Sequence, residues 1–133
     1  MRYLLDTHTL LWHARDASNL PPRLRRLLNT DDGSVQLVVS VVSLQEIVIK
    51  LALQKLELRG GMSALFARME QYAMERLAIQ DTHLQAYIRL PFLADHRDPF
   101  DRLLLAQAQA ESLTLVSRDP KMRRYDGVAV VWA

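Results

Sequence analysis

The chain has 133 residues, half of them hydrophobic, enough for one core in one domain spanning 1–133. Its 17 basic and 15 acidic side chains leave a net charge of +2, too small an excess to specify a partner, and the absence of cysteine excludes disulfides, thiolate chemistry and Cys-ligated zinc. Asp6 spoils a signal-peptide core and no apolar run approaches the ~20 residues of a membrane helix, so the expectation is a soluble, cytoplasmic protein without membrane contact.

Tyr3-Leu4-Leu5 is a short apolar run ending at Asp6 and reads as a buried strand. A short helix is expected over Thr7–Ala14, and a second over Pro22–Asn29 with Pro in its first turn. Thr30–Ser34 is a turn, and the β-branched run Val35–Val42 has the composition of a strand buried on both faces. Ser43–Lys55 is expected as a deeply packed helix, apolar almost all round. Gly60-Gly61 separates it from a helix near Ser63–Met74, followed by a short strand at Leu77–Ile79. Asp81–Leu90 reads as a helix stopped by Pro91, Pro99–Glu111 as an Ala/Leu-rich helix, and Leu113–Ser117 and Val128–Trp132 as the last strands. Strands alternating with helices predict an α/β fold with a parallel sheet covered on both faces, in which ligands sit beyond the carboxyl ends of the strands.

Four acidic positions fall at such junctions: Asp6, Glu46, the pair Asp98/Asp101, and Asp119. Each has a structural explanation. Asp6 can cap the following helix. Ser43-Leu-Gln-Glu46 matches a capping box, and Glu46 lies four residues before Lys50. Asp98-Pro99 and Asp119-Pro120 each pair a helix cap with a good first helical residue. Together they say more. Asp101 heads the inward stripe Asp101, Leu104, Leu105, Ala108, and a buried ionised carboxylate is costly unless paired or metal-bound. Several carboxylates in one pocket repel unless a cation neutralises them, and hard cations such as Mg²⁺ or Mn²⁺ choose oxygen ligands.

The motifs Leu4-Leu5-Asp6-Thr7, Ser43-Leu-Gln-Glu46, His96-Arg-Asp98-Pro-Phe-Asp101-Arg102 and Leu115-Val-Ser-Arg-Asp119 resemble those of PIN-domain ribonucleases, and among them the VapC-type toxins of prokaryotic toxin–antitoxin pairs. The resemblance runs from Met1 to the last strand and is most specific over Arg97–Ala108. It implies a three-layer α/β/α domain with a central parallel sheet of four to five strands, and Mg²⁺- or Mn²⁺-dependent endoribonuclease activity. It places the acidic quartet on Asp6, Glu46, Asp101 and Asp119, the last being the least constant in related proteins. Asp98 is then a helix cap or supporting group first and a ligand second. An antitoxin bound in a groove of early helices, and a homodimer, are implied in the same way. Many members carry Asn where this chain has His8, which leaves that position's role open.

Other residues are weighed beside the quartet. Thr7 and Ser117, and more weakly Ser40, are candidate hydroxyls behind the acids; the alternative is that they cap a helix or end a strand. His96 lies in a polar loop beside the acids, where it either contacts substrate or is solvated. Arg102 either meets phosphate or pairs with an acid. Arg118, Lys121, Arg123 and Arg124, and the group Arg23, Arg25 and Arg26, are candidate phosphate contacts or plain solvated surface. Trp12 and the leucines of the first two helices form either a partner patch or core. Two other functions compete. A haloacid-dehalogenase-like phosphatase would carry a second Asp two residues after the first, where His8 stands, and a suitably placed Lys after a later strand, which this chain does not offer. A PIN-like module that binds RNA or protein without cutting would have lost several acids, and all four are present.

Overall fold

The computed structural model describes residues 1–133. Its elements in chain order are β1 (Arg2–Leu5), α1 (Thr7–Arg15), α2 (Pro22–Leu28), β2 (Gln36–Ser40), α3 (Val41–Ala52), α4 (Gly61–Gln71), β3 (Glu75–Leu77), α5 (Asp81–Arg89), α6 (Pro99–Glu111), β4 (Thr114–Val116) and β5 (Val130–Val131), with 3₁₀ turns at Ala17–Asn19 and Pro120–Arg124. The five strands form one all-parallel sheet in the order β3-β2-β1-β4-β5. Leu5 stands in register with Val39 of β2 and Val116 of β4, so the central strands end level with one another. The chain leaves β1 to one side for β2 and β3, then crosses back to the other side for β4. The carboxyl ends of β1 and β4 therefore flank the point where strand order reverses, the place where such sheets leave a crevice.

Alternation along the strands divides the core. Leu5, Leu37, Val39 and Val116 point to one face, where they meet Leu10 and Leu11 of α1, Leu24 and Leu28 of α2, Ile47 of α3 and Leu65 of α4. Leu4, Val38 and Leu115 point to the other, against Ala86 of α5 and Leu104, Leu105 and Ala108 of α6. The result is three layers, α/β/α. Leu10, Leu11, Leu24 and Leu28 of α1 and α2 are thus core, whereas Leu27 and Trp12 are half-buried, Trp12 stacked on His8 and tilted against Trp132. No helix is long and apolar enough to cross a membrane.

Several boundaries differ from the sequence expectation, and three of them have a local cause. The helix expected from Ser43 begins at Val41, because Ser40 ends β2 and its side chain accepts from Val42 N–H as the N-cap. The β-branched pair Val41-Val42 extends the strand by propensity but turns into the first helical turn, where Val42 is buried against the α6 side. The third strand lies at Glu75–Leu77, two residues early; it is a sheet edge that tolerates charged residues. The fourth helix starts at Gly61 instead of Ser63. Gly60 caps it at φ 78°, and a Cβ there would lie 2.7 Å from that of Ala64, so the break requires glycine.

Candidate metal centre

Asp6 follows β1 directly. Its Oδ1 accepts from Thr9 N–H at 2.9 Å, an N-cap for α1, and Asp6 N–H itself donates to Val116 O at 3.1 Å. Thr9, fully buried, donates its hydroxyl to the same Val116 carbonyl at 3.1 Å. One carbonyl at the end of β4 thereby anchors the start of α1. One residue on, at Ser117, the chain leaves the sheet: Ser117 Oγ accepts from Asp119 N–H at 3.2 Å, and Asp119 Oδ1 accepts from Lys121 N–H at 2.9 Å. Asp6 and Asp119 line one cleft with His8, Trp12, Arg118 and Pro120.

Glu46 sits well inside α3, not at its start, so the capping box expected with Ser43 is not formed. Its Oε1 accepts from Thr7 Oγ at 2.7 Å and its Oε2 meets Lys50 Nζ at 3.0 Å. Thr7 thus ties Glu46 to the residue beside Asp6, and Ser43 Oγ lies 3.1 Å from the same hydroxyl. Asp98 is the N-cap of α6, its Oδ1 accepting from Phe100 N–H at 2.8 Å and from Asp101 N–H at 3.2 Å. Asp101, in the first turn of α6, takes His96 Nε2 at 3.1 Å on its Oδ2.

Each of Asp6, Asp101 and Asp119 therefore uses one carboxylate oxygen in the fold and keeps the other for a further partner. Ligating atoms of His96, Asp101 and Asp119 lie within 4.8 Å of one another. Burial pushes the Asp101 carboxyl up to about 6, with the charges of Asp98 and Glu46 adding and the hydrogen bond from His96 opposing. A group whose ionisation is that unfavourable next to other carboxylates is a site short of positive charge. The oxygen donors and this charge deficit fit a divalent cation; Asp6, Glu46, Asp101 and Asp119 could hold it.

Several weaker expectations resolve differently. His96 is buried, not solvated, and its second nitrogen, Nδ1, lies 2.8 Å from Tyr125 Oη. Arg102 is buried too: it donates to Pro91 O at 2.9 Å and to Tyr125 Oη at 3.2 Å, and lies over the rings of Tyr87 and Tyr125. It faces neither a phosphate nor an acid. Arg124 forms a two-pronged pair with Asp95 and Lys121 donates to Asp95 O, so both tie the loop before α6 to the Pro120–Arg124 turn. Arg118 remains exposed at the cleft. Ser40 is turned away from the acids, donating to Gln107 Oε1. Sequence reasoning missed Thr9, Gln107 and Tyr125. Gln107 alone gave a signal, as the one polar residue in the apolar stretch Leu103–Ala108 of α6. Tyr125 stands in a basic, aperiodic segment where nothing marks it.

A model of the PIN domain matches residues 3–128. No curated protein matches. Among solved structures, the chain is similar to one in the crystal structure of VapBC2 from Rickettsia felis bound to a DNA fragment from their promoter, with 18% identity, complete coverage of both chains and a TM-score of 0.72. VapBC-1 from nontypeable Haemophilus influenzae gives 16% identity over 98% of this chain and 97% of that one, with a TM-score of 0.72. FitAcB from Neisseria gonorrhoeae gives 22% identity over 96% and 95%, with a TM-score of 0.59. At these identities the structures speak for the fold, and the match across nearly the whole sequence speaks for the family: the chain belongs to the PIN domain family, whose members are generally nucleases.

Proposed function

We propose that this protein is a divalent-cation-dependent endoribonuclease that hydrolyses RNA phosphodiester bonds, and that it is the VapC-type toxin of a toxin–antitoxin pair. The observation that carries the reading is the convergence of carboxylates from separate chain segments at the reversal point of the sheet, with Asp101 held hard to ionise until a cation arrives.

Asp6, Glu46, Asp101 and Asp119 would hold Mg²⁺ or Mn²⁺. When bound, the ion supplies a more acidic water for in-line attack at phosphorus and neutralises charge building on the phosphate oxygens. The chain's own groups do the remaining work. The Thr9 and Lys121 amides fix the carboxylates of Asp6 and Asp119, and the Thr7 hydroxyl fixes Glu46 of α3 against the start of α1. Arg118, exposed in the lining of the cleft, would take an RNA phosphate without reading sequence.

The partner reading is supported by exposed apolar side chains. Val48 and Ile49 near the end of α3 and Leu53 just beyond it are exposed apolar side chains, a surface a soluble protein covers with a partner such as an antitoxin. Leu84 and Ile88, one turn apart on α5, and Phe92 just beyond it form a second exposed apolar set, suited to a homodimer contact. The VapBC neighbours, toxin–antitoxin complexes, point the same way.

The test is RNA cleavage by purified, partner-free protein with Mg²⁺ or Mn²⁺, with and without EDTA, beside Asp6→Asn. Asparagine still caps α1, so that variant folds. Internal cuts that require the ion and vanish in Asp6→Asn are the expected result. A folded Asp6→Asn variant with full activity refutes the assignment, and release of inorganic phosphate from small esters without RNA fragments would instead indicate a phosphatase.

A further inference from the structure

Nε2 of His96 lies among the oxygens of Asp101 and Asp119, so on position alone His96 is a candidate ligand. The hydrogen bonds behind it decide otherwise. Arg102 has donors only, so at 3.2 Å its NH1 must donate to Tyr125 Oη. Tyr125 is 2% exposed, and the one acceptor within reach of its hydroxyl hydrogen is His96 Nδ1 at 2.8 Å. Were Nδ1 to carry the hydrogen instead, the tyrosine would receive two donors and bury its own hydrogen unpaired, at a cost of about 1–3 kcal/mol. Nδ1 is therefore the acceptor, the ring hydrogen sits on Nε2, and it points at Asp101 Oδ2, 3.1 Å away.

We propose that Arg102, Tyr125 and His96 form a one-directional hydrogen-bond relay that fixes the Asp101 carboxylate, with His96 a positioning residue and not a ligand of the cation. The inference rests on reading Asp101 as a cation ligand. An Nε2 that carries hydrogen has no lone pair to offer a metal, and Nδ1 is sealed behind Tyr125. Asp101 is then held twice. Asp98 grips its backbone N–H and His96 grips Oδ2, both from the short segment that leads into α6. Oδ1 alone is left without a hydrogen bond in the fold, so Asp101 serves the ion through a single oxygen. Arg102, enclosed by Tyr87 and Tyr125, supplies the first donor from a place no phosphate reaches.

The test uses the full chain with Mn²⁺ as the probe. In the wild type, two-bond ¹H–¹⁵N spectra of ¹⁵N-histidine protein should show His96 hydrogenated on Nε2, and Tyr125→Phe, which removes a single oxygen, should yield a tautomer mixture. His96→Ala should weaken Mn²⁺ binding by about 10–100-fold, the range for loss of a group that orients a ligand. His96→Gln, whose amide reaches the place of Nε2, should recover most of it. RNA cleavage should follow in kcat, with KM nearly unchanged. Pulsed EPR of the Mn²⁺ protein should show no directly bound nitrogen. A bound imidazole nitrogen, an Nδ1-hydrogenated His96 in the wild type, or a His96→Gln as weak as His96→Ala would each overturn the proposal. If wild-type protein binds no Mn²⁺, the metal reading itself fails, and the tautomer spectra still uphold or refute the relay.

Discussion

Two groups with opposed shifts should hide each other in the pH dependence of stability, and single substitutions should unmask them. Burial holds Asp101 up at about 6 against an ordinary 3.8. His13, buried against Tyr72 and beside Arg68, is pushed down to about 4 from 6.5, by burial first and the Arg68 charge second. Between pH 4 and 6 the folded state keeps a proton on Asp101 that the unfolded chain has released, so this group makes stability fall as pH rises. Between pH 4 and 6.5 the unfolded chain takes up a proton on His13 that the folded state refuses, so this group makes stability rise with pH. At about 1.4 kcal/mol per unit, each contribution is on the order of 3 kcal/mol. Solvent reaches 28% of the Asp101 side chain, which makes its figure a ceiling. Urea unfolding followed by circular dichroism, in EDTA from pH 4 to 6.5, should give a shallow wild-type profile. Asp101→Asn should gain up to about 3 kcal/mol towards pH 6.5, relative to wild type. His13→Leu, whatever its absolute stability, should lose a similar amount towards pH 6 relative to wild type. Two variants that both track the wild-type slope, or an Asp101→Asn curve that falls, would refute the argument and with it the charge deficit at the site.

Three further outcomes follow from the same geometry. Thr7→Val removes the donor to Glu46 Oε1 and should weaken Mn²⁺ binding about tenfold by calorimetry, with the helices intact by circular dichroism. Leu105→Ala opens the fully buried core between sheet and α6 and should cost about 2–5 kcal/mol in urea unfolding. Arg118→Ala should weaken RNA binding across unrelated sequences and reduce the slope of log affinity against log salt by about 1, measured with the cation withheld.

The parts of this molecule that were legible in its sequence are those where one local pattern and the tertiary answer agree. Leu4-Leu5-Asp6 is a strand, a stop and a cap in three residues, and Asp98-Pro99 opens α6 as its chemistry predicts. Val41-Val42 misled because their preference for strands was overruled by Ser40, whose hydroxyl caps the helix two residues before the Val run ends. Ser43 and Glu46 have capping-box spacing, yet the same spacing suits a helix interior once the start has moved. The four acids were visible one by one. Their support was not: Thr9 reaches Val116 across 107 residues of sequence, and Tyr125 reaches His96 across 29. Pairings that distant leave no trace in a local period, so of two residues buried behind the site, Arg102 read from the sequence as a phosphate or acid contact and His96 as a substrate-facing or solvated loop residue.

The separation of Asp6 and Asp119 along the chain has a consequence for when the protein can act. The two carboxylates lie 113 residues apart, the last of them beyond every other strand-to-helix junction that carries an acid, while the strands that precede them, β1 and β4, are sheet neighbours. Such a long-range parallel pairing closes late, since the entropy of a large loop must be overcome before the contact rewards it. On the proposed reading, a chain cut anywhere between Asp6 and Asp119 leaves neither fragment with the complete set of ligands. On that reading, catalytic competence reports that β4 has joined β1, and cleavage is confined to chains in which α3, with its exposed apolar side chains, is already in place.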